Sequence, residues 1–343
     1  MDAKITKKRL AHMLSYDWVK IIGVIVAAVI VWSLIFTTTA TRITNTQRFV
    51  VCNYMGVSFG SAGDLSQQSY EIIEAERVDN MRGGDSMFSQ LFQANMEVGE
   101  GDVMFVADSS VSRTAKLDGD GNEMKDGDGN VIYEYSEETY LSQALTYYYH
   151  YFTRLDDTDG SKGYFTQMKE YLDKFYDLTG EEQKTYGETV LTKATFDENS
   201  LNAELAEAEF RARIQANKDK RFKTEEQIAA AIPQEIARIQ SYLKAYNEFF
   251  AYADNGYIAF TYSTLQLTEE ITVSGTFGIN LCPDEQKMGK LKEQFYYVDF
   301  DGVLTAKNIH ATFLGLNGLD KNFQYENIVF LNALIEDVCV DLQ

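Results

Sequence analysis

The chain has few of the residues that usually build metal centres, nucleophilic sites and sugar-binding sites. Its 343 residues include only 3 histidines, 3 cysteines and 2 tryptophans. His150 and His310 are far apart, and no HExxH or CxxC motif is present, which argues against a zinc site. Trp18 and Trp32 both precede the last three hundred residues, so a carbohydrate site there would lack the best stacking residue. A glycine-rich phosphate loop and a paired-carboxylate motif are also missing.

Basic residues are scarce as well. Lysine and arginine number 31 against 52 acidic residues, which gives a formal net charge of −21. This balance excludes binding to nucleic acid or to an anionic membrane surface through a basic patch. Three cysteines are an odd number and do not have the spacing of a small disulfide-stapled fold. We predict that Cys52 and Cys282 are buried core thiols, with a Cys282–Cys339 disulfide as the alternative.

One long apolar run, residues 21–41, contains no charged residue. As a helix it would be about 31 Å long, which matches the hydrocarbon thickness of a bilayer. The basic residues on its N-terminal side predict that residues 1–20 are cytoplasmic and that the C-terminal part is extracytoplasmic, in a single-pass protein of the cell membrane. The alternative is a cleaved signal peptide, with Thr38 and Ala40 as the small residues before the cut. The basic residues on the N-terminal side of the apolar run are Lys4, Lys7, Lys8, Arg9 and Lys20.

The segment after the apolar run has an α/β pattern. Residues 48–59 and 70–78 have strand composition, a helix is predicted within residues 85–101, and an apolar strand follows at 103–108. Strand, loop, strand, helix and strand in this order predict parallel strand pairing. Residues 114–135 contain two DGDGN turns, which predict a small projecting β-meander or hairpin.

The middle of the chain is predicted to be mostly helical, and the last ninety residues return to strands. Three helices are predicted between residue 136 and residue 222. Thr224 and Gln227 form a capping box at the start of the next helix, and Pro233 is predicted to interrupt that helix. We expect the two helices on either side of residue 220 to form a helical hairpin that projects from the core.

The basic tip of this hairpin stands out on an acidic chain. A solvated tip is one interpretation, and a docking point for a partner protein is the other. The partner-docking candidates are Lys218, Lys220, Arg221 and Lys223.

Gly56, Ser58 and Gly60 match the G-x-S-x-G pattern of a nucleophile elbow. The elbow needs a strand, a sharp turn and a helix, with a histidine within hydrogen-bond reach of the serine. The residues after Gly60 do not begin a convincing helix, and neither His150 nor His310 lies in a motif. We therefore predict that the protein is not an enzyme.

A calcium loop is the better metal hypothesis. Aspartate and asparagine stand at positions 1, 3 and 5 of a twelve-residue loop, with a glutamate at position 12. Val131, however, occupies position 6, where the turn needs glycine. Ordinary Asp-Gly turns are the alternative explanation of this segment. The four predicted calcium ligands are Asp126, Asp128, Asn130 and Glu137.

A family resemblance rests on three segments: RFVVCNYMG, the unit from YEIIEAERV to GEGDVMFVAD, and the ending IHATFLGLNGLDKNFQYENIVFLNALIEDV. Together they resemble a type II extracellular solute-binding protein. The resemblance implies a two-lobed α/β fold with ligand between the lobes, at loops after strand ends, and a terminal helix packed on the first lobe. The ligand-binding candidates that follow from it are Ser58, Ser61, Asp108, Ser109 and Ser110.

These observations predict an extracytoplasmic α/β lobe, residues 42–135 and 256–343, anchored by a membrane helix. A large helical insertion, residues 136–255, would form a helical lobe with the projecting hairpin. We expect a non-catalytic, solute-binding-like protein that acts with a membrane transporter or a cell-envelope assembly and binds a small molecule. The alternative is an envelope interaction or scaffold protein that has lost ligand binding and docks partners through its hairpin.

Overall fold

The computed structural model describes most of the chain outside several loops. The described residues are 7–8, 11, 18–39, 48–54, 56–60, 77–82, 88–97, 101–107, 113–135, 140–158, 160–217, 221–268, 271–299, 302–315 and 325–339. Two compact units result, Met1–Ile43 and Thr44–Gln343.

Helix α1, Trp18–Thr39, belongs to the first unit and contains residues 21–39 of the apolar run. It begins at Trp18 rather than at residue 21. Its residues Trp18–Ile35 are not buried by any other part of the protein, and they are long and apolar enough to cross a membrane. A signal sequence near an N-terminus meets the same criteria.

The second unit alternates strands and helices. In chain order it contains β1 (Arg48–Asn53), β2 (Ser58–Phe59), β3 (Arg77–Arg82), α2 (Phe88–Glu97), β4 (Val103–Val106), β5 (Arg113–Ala115), β6 (Tyr133–Tyr135), α3 (Tyr140–Tyr148), α4 (Tyr164–Leu172), β7 (Leu178–Tyr186), β8 (Thr189–Phe196), α5 (Ala203–Asn217), α6 (Glu225–Asp254), β9 (Ala259–Gln266), β10 (Thr272–Asn280), α7 (Leu291–Gln294), β11 (Phe295–Val298), β12 (Leu304–Thr305), β13 (His310–Phe313) and α8 (Glu326–Val338).

A six-stranded sheet forms the centre of this unit, in the order β3-β1-β4-β13-β10-β9. Strand β1 pairs in parallel with both β3 and β4, which confirms the predicted parallel pairing. Strand β13 lies between β4 and β10 and is antiparallel to both. The sheet is therefore built from both ends of the unit, as the positions of the predicted strands indicated.

Both faces of the sheet are covered, which explains the continuous apolar sequence of β1. Phe49 and Val51 belong to one buried cluster, and Val50 and Cys52 belong to another on the opposite face. Helix α8 packs on the first face, where the Phe330 ring lies 5.0 Å from the Phe49 ring. The predicted terminal helix thus packs on the sheet that contains the terminal strand β13.

The middle of the chain is less helical than predicted. Between the second and third predicted helices the structure has an antiparallel hairpin, β7–β8, with Gly187 at positive φ in its turn. Strand β7 is almost wholly exposed and polar, so its sequence lacks the apolar alternation that predicts a strand. Strand β8 alone buries side chains, among them Leu191 and Phe196.

The predicted interruption at Pro233 is wrong, because α6 runs unbroken through this residue. A proline at this position removes the hydrogen bond to the carbonyl four residues earlier, that of Ala229. Both residues are exposed, so water can bind the freed carbonyl and the helix continues. The predicted capping box of Thr224 and Gln227 is confirmed, and α6 ends at Asp254 as expected.

All three cysteines are buried thiols outside any disulfide, which confirms the prediction for Cys52 and Cys282 and excludes the Cys282–Cys339 disulfide in this structure. Burial raises the pKa of the Cys282 thiol to about 11. A thiol in such surroundings is protonated at neutral pH and is a weak nucleophile.

Candidate functional site at the carboxyl edge of the sheet

The carboxyl ends of β1 and β4 lie side by side at the point where the order of the sheet reverses. Strand β1 is flanked by β3 on one side and by β4 on the other, and all three are parallel. The chain passes from β1 to β3, then crosses back over β1 to β4. In open α/β sheets, ligands bind outside the carboxyl ends of the strands at such a reversal.

Asn53, the last residue of β1, occupies this edge. It pairs in register with Phe105 of β4 and Arg82 of β3. Alternation along the strand places its side chain on the same face as Phe49 and Val51. Only 1% of the residue is exposed, and among the described residues neither atom of its amide group has a hydrogen-bond partner. A buried amide without partners costs about 1–3 kcal/mol, and native structures rarely contain one.

A second buried amide oxygen belongs to Gln294, at the end of α7. Within the described part of the chain its Oε1 atom also has no hydrogen-bond partner. The loop that leaves Asn53 ends beside this residue, because the Gly60 amide donates to the Gln294 carbonyl at 2.7 Å. The next residue, Phe295, stacks on Phe105 with ring centroids 4.1 Å apart. Gln294 thus belongs to the same corner of the fold as Asn53.

The short segment that follows Asn53 and reaches Gln294 at Gly60 is held in place by close contacts. The Tyr54 amide donates to the Phe105 carbonyl at 2.9 Å, and the Val57 amide donates to the Tyr54 carbonyl at 3.1 Å. Gly56 has φ +91° and lies so close to Tyr140 that an added Cβ would stand 2.9 Å from the ring. An added Cβ on Gly60 would stand 2.1 Å from the Glu293 carbonyl oxygen. Only glycine fits at these two positions.

Ser58 lies in strand β2, which is part of this segment, and it is exposed. It pairs with Tyr296 of β11 in an antiparallel ladder. A serine inside a paired strand differs from the strand-turn-helix geometry of a nucleophile elbow. The other predicted ligand-binding residues, Ser61, Asp108, Ser109 and Ser110, lie outside the described residues, so the structure places only Ser58 at this corner.

Three of the four predicted calcium ligands, Asp126, Asp128 and Asn130, lie in an exposed meander, whose strands β5 and β6 confirm the predicted hairpin. The Asp126 Oδ1 atom accepts hydrogen bonds from the backbone amides of Asp128 and Asn130, both at 2.9 Å. These hydrogen bonds lower the pKa of the Asp126 carboxyl, and the bond from the Asn130 amide has the largest effect.

The first DGDGN copy has the same geometry around Asp118, with the amides of Asp120 and Asn122 also at 2.9 Å. A shared turn geometry accounts for the repeated sequence without a cation. No group of three or more potential ligands among histidine, cysteine, aspartate and glutamate is clustered in the described residues. Glu137 lies outside them, and the calcium site stays a prediction.

Helices α5 and α6 form the predicted hairpin, called the arm below. Its helices are joined by the Phe210 and Phe222 rings, 5.4 Å apart, and by an Arg211–Glu225 ion pair of 2.6 Å. Of the docking candidates, Arg221 has its guanidinium group 5.1 Å from the centre of the Phe222 ring.

The Lys223 backbone amide donates to the Gln227 side chain at 2.8 Å, which helps to fix the start of α6. Lys218 and Lys220 lie outside the described residues.

A buried chain of charged and polar groups joins the arm to α8. Arg213 of α5 donates to Glu235 of α6 at 2.7 Å, and Arg238 donates to the same carboxylate at 3.0 Å and to the Tyr242 hydroxyl at 3.0 Å. The Tyr242 hydroxyl donates in turn to Glu326 at the start of α8. Burial raises the pKa of Tyr242 well above its usual range, so the hydroxyl keeps the proton that it donates.

Sequence reasoning missed both Asn53 and this buried chain. An asparagine at the end of a strand is unremarkable in sequence, and only the packing reveals its unfilled amide. The charged chain did leave a signal, because Glu235, Arg238 and Tyr242 are spaced by three and four residues on one helix face. That face also contains Ile239, Tyr246 and other core residues. No family model, curated protein or solved structure matches the chain.

Proposed function

We propose that the protein is a non-catalytic, membrane-anchored protein whose second unit binds a small solute at the carboxyl edge between β1 and β4. The unfilled amide of Asn53 carries this proposal. A polar group that is buried without a partner destabilises the fold, and a bound ligand would supply the missing hydrogen bonds. The position of Asn53 at the reversal of the strand order is where ligands of such sheets bind.

Two further features support the proposal. The glycines at 56 and 60 and the backbone bonds of Tyr54 and Val57 fix the loop before any ligand arrives, which lowers the entropic cost of binding. The terminal strand β13 and helix α8 pack on this sheet, as expected from the resemblance to type II solute-binding proteins.

Helix α1 extends the proposal to the setting in which the protein acts. As a membrane anchor it would place residues 1–20 in the cytoplasm and the second unit outside. We propose that the unit serves a membrane transporter or a cell-envelope assembly from this position. A transmembrane anchor restricts the unit to the membrane surface, where such partners lie.

The test is a thermal-shift screen of the full chain in lipid nanodiscs against amino acids, sugars, polyamines and short peptides. We expect a stabilising solute whose effect is lost in Asn53→Leu and kept in Asn332→Leu. Asn332 is a matched control, because it is also buried with an unfilled Oδ1 atom, but its amide nitrogen donates to the Ala245 carbonyl at 2.8 Å. Absence of any stabilising solute, or shifts of equal size in Asn53→Leu, would overturn the proposal.

A second candidate function is docking of an envelope partner by the arm. The buried chain from Arg213 to Glu326 favours it. Buried ion pairs contribute little net stability relative to apolar packing, and we propose that this buried chain instead fixes the angle of the arm. An arm held at one angle by such contacts suits a partner that must be met at a fixed distance.

A further inference from the structure

The unfilled atoms at the corner between Asn53 and Gln294 define what kind of group can bind there. Asn53 offers one NH2 donor group and one acceptor oxygen, and Gln294 offers a second acceptor oxygen. A group complementary to the Asn53 amide must therefore donate a hydrogen bond to its oxygen and accept one from its nitrogen.

Charged groups do not meet this requirement. A carboxylate or phosphate only accepts hydrogen bonds, so it would leave both amide oxygens unfilled and face them with negative charge. An ammonium or guanidinium group only donates, so it would leave the Asn53 nitrogen unfilled. Either ion would also lose its hydration on reaching a residue that is 1% exposed.

The apolar surroundings of the corner also argue against a charged ligand. Val57 and Phe105 are buried in the cluster on this face of the sheet, and the Phe295 ring stacks on Phe105. On the other side of β1, the residue in register with Asn53 is Arg82 of β3, so a cationic residue type stands at the neighbouring backbone position. An anionic ligand is therefore the strongest competing prediction.

Resting on the proposed function, we infer that the solute presents to Asn53 an uncharged group that donates and accepts hydrogen bonds side by side, such as a carboxamide or adjacent hydroxyls. Such a group fills both atoms of the Asn53 amide without introducing a buried charge. The solute-binding site would then select neutral polar compounds over organic acids and amines at the contacting group.

Three isosteric probes separate the possibilities: acetamide, which is neutral, acetate, which is an anion, and acetamidinium, which is a cation. Each is added to the full chain in nanodiscs over the same concentration series, and the melting temperature is measured. We expect acetamide alone to raise it, by about 2–4 °C at ten times its dissociation constant. Asn53→Leu should abolish this shift, and Asn332→Leu should retain it.

The remaining outcomes each overturn the inference in a distinguishable way. An acetate or acetamidinium shift that is lost in Asn53→Leu would refute the neutral class and leave the proposed site standing. If acetamide has no effect while the solute screen gives a hit that depends on Asn53, the ligand class is again wrong and the site remains. If neither experiment gives a shift that depends on Asn53, both proposals fall.

Discussion

At the scale of single residues, two buried asparagines differ in what they do for the fold. Asn332 donates from its amide nitrogen to the Ala245 carbonyl and so links α8 to α6, and only its Oδ1 atom lacks a hydrogen-bond partner in the described residues. Asn53 makes no such link among the described residues. The first contributes to stability, and the second lowers it in the absence of a bound group.

This difference predicts opposite effects of one substitution at the two positions. Asn53→Leu should raise the free energy of unfolding by about 1 kcal/mol, because an unfilled amide is replaced by an apolar side chain of similar size. Asn332→Leu should lower it by about 1–3 kcal/mol through loss of a buried hydrogen bond. Urea denaturation of the ligand-free protein measures both. A destabilised Asn53→Leu would mean that this amide has a partner.

At the scale of elements, the arm carries two kinds of glutamate–arginine pair. Glu225 pairs with Arg211 at the exposed outer end of the arm, and Glu235 pairs with Arg238 and Arg213 at its buried root. Exposed pairs contribute about 0–1 kcal/mol, whereas removal of one partner of a buried pair costs about 3–5 kcal/mol.

We therefore expect Glu235→Gln to destabilise the protein by about 3–5 kcal/mol, because two arginines lose their buried carboxylate. Glu225→Gln is the matched control on the same helix and should change the free energy of unfolding by less than about 1 kcal/mol. Guanidinium denaturation followed by circular dichroism gives both values. Equal effects would show that the root of the arm is as hydrated as its outer end.

The elements that could be predicted from sequence are those in which local composition and tertiary packing agree. The apolar β1 and β4, helix α2 between them and the cap at Thr224 all carry such local signals. Strand β7 carries none, because it is polar and exposed and exists through its pairing with β8. Pro233 led to a wrong prediction of a helix break, because at this exposed position a proline can stand inside the helix.

The sequence predicted only the location of the candidate site and not the residue that defines it. Loops after strand ends were expected to bind ligand, and Ser58 does lie in the loop that follows β1. Which side chain lacks a partner depends on contacts across the fold, and no local pattern reports it. The strand partners of Asn53 are Arg82 and Phe105, which are 29 and 52 positions further along the chain.

At the scale of the whole molecule, the chain combines an apolar N-terminal helix with an acidic second unit that contains the helical arm. If the arm docks a partner, neutralising its basic residues should release that partner. We expect Arg221→Gln with Lys223→Gln to reduce co-purification of membrane proteins with the full chain at least several-fold.

Lys116→Gln with Lys125→Gln removes the same charge from the exposed meander and serves as the control. Affinity purification of the three proteins from their native membranes, followed by quantitative mass spectrometry, measures the difference. Unchanged partners in the arm variant would exclude docking through these two side chains.

The position of β13 in the middle of the sheet has a consequence for how the protein is made. Thr312 of β13 bonds to Met104 of β4, a residue 208 positions earlier in the chain. At a synthesis rate of about 5–20 residues per second, β4 waits about 10–40 s for its neighbour. During that time an apolar strand edge is open to wrong pairing, with this chain or with a second nascent copy. The protein is thus most exposed to aggregation before β13 has been made, and a chaperone that covers β4 would act in that interval.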